Sequence, residues 1–287
     1  MKTPKQILPL IEDGIVDEVI SQLMSGKEAS VYVVRCGEHI RCAKVYKDVQ
    51  HRSFKQAVKY QEGRKVRNSR RGRAMEKGSK FGRKEQENVW QNAEVDALFT
   101  LSRVGVKVPQ PHGCYDGVLI MDLVTDNDGD VAPRLNDVSL TAEQAIEDHA
   151  TMVHYIRLML CAGIVHGDLS EFNVLVDSYG PVVIDLPQAV NAAANNNAQE
   201  MFLRDVRNMR LYYGQYAPEI LDTRFGEEMW ALYQAGELTA ETVLYGEVAD
   251  NHAEADVDSV LDEIKAAFEQ MQENQERIKA GQAPEDD

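Results

Sequence analysis

Residues 164–186, IVHGDLSEFNVLVDSYGPVVIDL, constrain the fold of this chain more than any other stretch. Two short apolar runs, NVLVD and PVVIDL, are joined by SYGP and read as a tight β-hairpin. A hairpin brings its two open ends together. Asn173, which opens the first strand, and Asp185, which ends the second, should therefore lie close. Both offer hard oxygen ligands, which Mg²⁺ accepts while it keeps water and phosphate oxygens. Asp168 sits five residues before Asn173, on the loop leading in. From there it could accept or orient the proton of an attacking hydroxyl. A turn and a strand cap would explain any one of these residues. Three together at these spacings point to phosphoryl transfer.

The first half of the chain supplies a cation. Lys44 stands in Cys42-Ala43-Lys44-Val45, a lysine within an apolar strand. Buried lysines are rarely unpaired, so it needs a carboxylate, and Glu94 on the following helix is the natural partner. Together they could hold the α- and β-phosphates of ATP. Upstream lies SGKEAS, Ser25, Gly26, Lys27, Glu28, Ala29 and Ser30, between two strands. Such a turn can cover phosphates with backbone N–H groups. It is not the GxxxxGK[ST] pattern, and it gains weight only from its place ahead of Lys44.

Periodicity orders the rest. Residues 1–20 form a lead-in of helix or strand. Residues 21–124 read as a β-rich lobe, with a basic, mobile insertion at about 49–84 and a helix from Glu87 to Val104. Pro109 and Pro111 exclude a helix before the strands around VLIMDLV. A polar stretch, 125–135, links to a helical lobe over 136–250, in which Thr141 caps a long helix stopped at Gly163. An amphipathic helix at 251–280, carrying Val257, Val260, Leu261, Ile264 and Phe268, precedes a disordered acidic end, 281–287. Strands with one helix, a linker, then helices around a hairpin make an α+β, two-lobed layout with its ligand between the lobes.

Charge narrows the partners. The formal net charge is −16, which argues against general nucleic-acid binding and against DNA. Yet residues 52–84 hold 13 Lys or Arg against Glu62 and Glu76, a candidate arm for RNA or an acidic partner. The N-terminus lacks the features of a signal peptide, and no apolar run is long enough to span a membrane. Cys36, Cys42, Cys114 and Cys161 form no CxxC pair and read as reduced thiols of a cytoplasmic protein.

SGKEASVY, AKVYK, VLIMDLV, HGDLSEFNVLV and VIDLPQAV, in that order, resemble the RIO family of atypical serine/threonine kinases, as does FLRDVRNM at residues 202–209. The likeness runs over roughly residues 20–215, and HGDLSEFN with IDxxQ is highly specific. Only about twenty residues precede the phosphate loop, so the chain is similar to the branch without an N-terminal winged helix. The resemblance implies a protein-kinase-like fold trimmed of the usual activation segment and peptide-docking helices. It implies ATP with Mg²⁺, or Mn²⁺ in its place, as cofactors. Residues 25–30 would cover the phosphates, Lys44 would contact them and Glu94 would pair with Lys44. Met121, Asp122 and Leu123 would form the hinge beside adenine, Asp168 would be the catalytic aspartate, and Asn173 and Asp185 would hold the metal. Asp185 is also implied as the site of an aspartyl-phosphate, in an ATPase switch of ribosome assembly with autophosphorylation on serine.

Three departures from ordinary protein kinases bear on activity. Gly167 replaces the arginine that pairs with a phosphorylated activation loop, and Ser170 replaces a lysine near the γ-phosphate. After IDLPQAV there is neither the DFG glycine nor a later APE. All three favour self-phosphorylation or ATP hydrolysis over transfer to extended peptides. Two alternatives stay open at this level. One is a small-molecule phosphotransferase of the aminoglycoside or choline kinase type, which shares the HxDxxxxN loop. The other is an ATP-binding assembly module without catalysis.

Overall fold

The computed structural model describes residues 3–26, 29–47 and 94–247. The alternating run over 18–46 folds as three consecutive antiparallel strands, β1 (Glu18–Ser25), β2 (Ala29–Cys36) and β3 (His39–Tyr46). Two more, β4 (Pro111–Tyr115) and β5 (Val118–Asp122), complete a five-stranded sheet in the order β1-β2-β3-β5-β4. Pro111 opens an edge strand, where its missing N–H interrupts the ladder least.

Successive side chains of β3 alternate between the two sheet faces. Ala43 and Val45 are buried with Val34, Val118 and Ile120 against Ile7, Leu10 and Val16. The lead-in, a short helix α1 (Leu8–Glu12) and the turn after it, thus covers one face of the sheet and shares the first lobe's core. Lys44 and Tyr46 face the other way. There Tyr46 packs in one cluster with Leu119 and with Ala97, Leu98 and Leu101 of α2, helical over 94–103. Val89, Trp90 and Ala93 of the expected helix lie outside the described residues. So do the basic stretch 49–84 and the segments 251–280 and 281–287.

The second lobe begins beyond a loop and a 3-10 turn (Leu135–Asp137). Its long helix α3 (Ala142–Cys161) opens with a capping box. Gln144 N–H bonds Thr141 Oγ1 at 3.2 Å, while Thr141 N–H bonds Gln144 Oε1 at 3.0 Å. Gly163, at φ 73°, follows its end. Helices α4 (Ala198–Tyr213) and α5 (Phe225–Ala235) pack on α3 around Met152, Ile156, Leu160, Phe202 and Met209. The hairpin is β7 (Val174–Asp177) with β8 (Gly180–Val183), in the register Val174↔Val183. A two-residue pair not anticipated from the sequence, β6 (Ile164–Val165) with β9 (Val190–Asn191), clasps its base. The second hairpin strand was expected to end on Asp185. It stops at Val183, and Asp185 sits beyond it at φ 65°. Few non-glycine residues adopt that left-handed conformation, which turns the chain away from the ladder. No described helix is long and apolar enough to cross a membrane.

Candidate active site

Lys44 lies at the centre of the site. Its Nζ is 2.6 Å from Glu94 Oε1 and 2.7 Å from Asp185 Oδ1, so one ammonium ties β3 to α2 and to the second lobe. Burial alone works against a charge on Lys44, but the two carboxylates outweigh it and raise its pKa. For Asp185 the same balance holds with the opposite direction of shift. Its partial burial favours the neutral form, and Lys44 overrides this and lowers its pKa. Glu94, 2 % exposed, takes a second bond on Oε2 from the Tyr46 hydroxyl at 2.5 Å. Tyr46 is two residues past Lys44 on the same face of β3, so a single strand supplies both donors.

Asp168 is held by its backbone. Gly167 N–H donates to Asp205 Oδ2 at 2.7 Å and Leu169 N–H to Oδ1 at 3.0 Å. Arg204 donates to the Gly167 carbonyl, and Asn208 Nδ2 to that of Leu169 at 2.8 Å. One face of α4 thereby fixes the residues on both sides of Asp168. Gly167 has φ 81°, a conformation suited to glycine, which is a structural reason for its presence there. His166 is buried, which lowers its pKa and keeps it neutral. Its Nδ1 accepts from Asp168 N–H at 3.3 Å, which leaves the proton on Nε2 for the Ile184 carbonyl at 3.1 Å. Burial raises the pKa of Asp168, with His166 and Arg204 opposing it. Sequence reasoning did not assign Asp205, Tyr46 or Gln188. A signal existed for Asp205, because it falls at helical spacing among the buried Met201, Phe202, Val206 and Met209.

The hairpin places Asn173 as its ends require. Ile184 N–H bonds the Asn173 carbonyl at 3.0 Å, next to Asp185. Asn173 Nδ2 donates to the Asp168 carbonyl at 2.8 Å and lies 3.5 Å from its carboxylate, which Gln188 Nε2 approaches at 3.4 Å. Asn173 Oδ1 and Asp185 Oδ2 remain as oxygen donors. This pair fits Mg²⁺, which retains waters and phosphate oxygens instead of filling an all-protein cage.

Part of this constellation borders a cavity of about 720 Å³ between the lobes, within the range of small-ligand sites, and Asp168 is not among its lining residues. Lys44, Glu94, Asn173 and Asp185 line it, as do Met121, Asp122 and Leu123. Asp122 N–H is committed to the Gln110 carbonyl at 3.0 Å. Of the phosphate loop, Gly26 and Ala29 reach the cavity wall. Ser25 and Ser30 instead pair with each other, Oγ to Oγ at 3.2 Å, and Lys47 Nζ holds the Gly26 carbonyl at 2.7 Å. Lys27 and Glu28 lie outside the described residues.

A family model described as the RIO domain matches residues 30–225. The chain belongs to the RIO family. A RIO-type serine/threonine-protein kinase Rio1 of Haloferax volcanii is 34% identical over 208 residues, covering 72% of this chain and 67% of that protein. The serine/threonine-protein kinases RIO1 of Chaetomium thermophilum and of Homo sapiens are 31% and 28% identical. Those matches cover 76% and 78% of this chain but 43% and 38% of the relatives, so the chain aligns with less than half of either. Among solved structures, the Rio2 kinase–ADP/Mg²⁺–phosphoaspartate complex from Chaetomium thermophilum superposes with a TM-score of 0.52 at 20% identity. It covers 75% of this chain and 65% of that one. That likeness establishes the fold, so this RIO domain has the two-lobed α+β kinase architecture expected from its sequence.

Proposed function

We propose that this RIO domain is an ATP- and Mg²⁺-dependent serine/threonine kinase or ATPase. The observation that carries the reading is Lys44 bonded at once to Glu94 and Asp185 at one wall of a cavity whose other wall holds Asn173, beside Asp168. Adenine would lie against Met121, Asp122 and Leu123, with Gly26, Ala29 and Lys44 towards the phosphates. Asn173 and Asp185 hold Mg²⁺, which supplies charge neutralisation at the phosphate oxygens. In transfer to serine, the hydroxyl oxygen forms a bond to the γ-phosphorus, the bond to the β,γ-bridging oxygen breaks, and ADP leaves. Asp168 takes the hydroxyl proton on its carboxylate, and its raised pKa suits that task.

The half-exposed Asp185 carboxylate supports a second acceptor within the same site. Its oxygen attacks the γ-phosphorus, ADP leaves, and water then hydrolyses the aspartyl-phosphate to free phosphate. The Rio2 neighbour's phosphoaspartate motivates this branch. Family membership sets aside the small-molecule phosphotransferase alternative. We place the protein in the cytoplasm, where its four free cysteines stay reduced. Its proposed partners are ribosomal particles or RNA, reached through the basic residues 52–84.

Single-turnover reaction with γ-labelled ATP and Mg²⁺, with and without ribosomal particles, tests this. Protein label that is removed by alkaline hydroxylamine and is absent in Asp185→Ala supports the aspartyl-phosphate. Acid-stable label on serine supports the autokinase. Neither label nor released phosphate under any condition would overturn both.

A further inference from the structure

Among the described residues, the cavity is lined by four acids, Glu94, Asp122, Asp137 and Asp185, and by two cations, Lys44 and Arg134. Lys44 is already shared between Glu94 and Asp185. A nucleoside triphosphate entering this surface brings further negative charge, so the second cation matters.

Arg134 stands just before the 3-10 turn, and its backbone bridges Leu175 of β7, in the second lobe. Its side chain crosses to the first lobe, where Nη2 lies 2.9 Å from Met24 Sδ on β1. Among the described residues this is its one side-chain hydrogen bond. A thioether is a weak acceptor, whereas a guanidinium offers five donors in a fork that matches phosphate oxygens. The cation is therefore half-buried at a polyanion's cavity and spent on a sulfur.

We propose that Arg134 is a nucleotide-specificity residue, which exchanges Met24 for the phosphate oxygens of bound ATP or ADP and closes the cavity over them. This assignment rests on reading the cavity as an ATP site. The exchange replaces a neutral sulfur contact with charge-assisted N–H···O bonds, which are much the stronger.

Calorimetric titration of the full chain with ATP, ADP and adenosine, in the presence of Mg²⁺, tests it. Arg134→Met keeps the length and removes the charge. It should weaken ATP and ADP by roughly ten- to hundred-fold, as expected for lost charged hydrogen bonds, and leave adenosine unchanged. Arg134→Lys should recover part of that loss, since it restores charge without the fork. Equal weakening of all three ligands would mean that Arg134 only shapes the wall, and would overturn the assignment, as would no weakening at all. Wild-type protein that bound neither ATP nor ADP would remove the ATP-site reading and this inference together. Wild-type binding with no selective loss in Arg134→Met would remove this inference alone.

Discussion

Tyr46 donates its hydroxyl to the same buried carboxylate, Glu94, that pairs with Lys44, so both oxygens of Glu94 are engaged from one strand. In this arrangement Tyr46 orients Glu94, and Glu94 orients Lys44. Tyr46→Phe removes one donor to an ionised, buried group, a loss of about 1.5–3 kcal/mol. The expected outcome is a lower melting temperature together with a several-fold higher KM for ATP. In Glu94→Gln the further Tyr46→Phe change should cost much less, because the hydroxyl's charged partner is already gone. Equal costs in the two backgrounds would show that Tyr46 acts only through packing.

Asp205 accepts two backbone N–H groups, one on each oxygen. An asparagine has one acceptor oxygen and one NH₂ group, so Asp205→Asn sets a donor against a donor. The cost is about 1–3 kcal/mol for the orphaned N–H. The residues flanking Asp168 should shift, lowering kcat while the Kd for ATP changes little. Unchanged kcat in stably folded Asp205→Asn would contradict this positioning role.

Asp168→Ala should lower phosphoryl transfer by roughly 10²–10⁴-fold, the usual worth of a positioned proton acceptor. Nucleotide affinity should be spared, since Lys44 and Asp185 keep their contacts. Single-turnover rates and calorimetry on the same preparation separate the two effects. Normal turnover would remove Asp168 from the mechanism.

His149 on α3 is buried against Tyr213 and Phe225, with ring centroids 5.8 and 6.0 Å away. Burial, with Arg210 nearby, pushes its pKa down to about 4. Between that value and the usual 6.5 the unfolded chain binds the proton and the folded one does not. Stability is therefore greatest above pH 6.5 and falls as pH drops towards 4, by about 3 kcal/mol from this group. Denaturation of wild type and His149→Phe across pH 4–7 should show the acid-side slope reduced in the variant. Identical slopes would exclude His149 as its source.

Much of this molecule could be read locally. The strands through Lys44 follow from alternation, and α3 follows from Thr141 and Gly163. The approach of Asn173 to Asp185 follows from the hairpin between them. These features depend on short-range geometry, so residue order determines them. The pairing of Lys44 with Glu94 was also legible, because a lysine on an apolar strand needs a counter-charge. The site's supports were less so. Asp205 reaches the Asp168 loop across 36 and 38 residues, and Arg134 meets Met24 across 110. Nothing in the periodicity of either segment names the other as partner.

The sequence by itself determined the two-lobed class, the run of its longer strands and helices without β6 and β9, and a first set of candidate phosphate-handling residues, from which Arg134 was missing. Tertiary structure decided which of them meet. It sets Lys44 between two carboxylates, ties Ser25 to Ser30 away from the cavity wall, turns Asp185 out of its strand, and anchors the Asp168 loop on α4. The physical reason is that a buried charge or backbone donor must be satisfied by whatever the packed core brings beside it. That partner is fixed by how whole elements stack, which no local run of residues encodes.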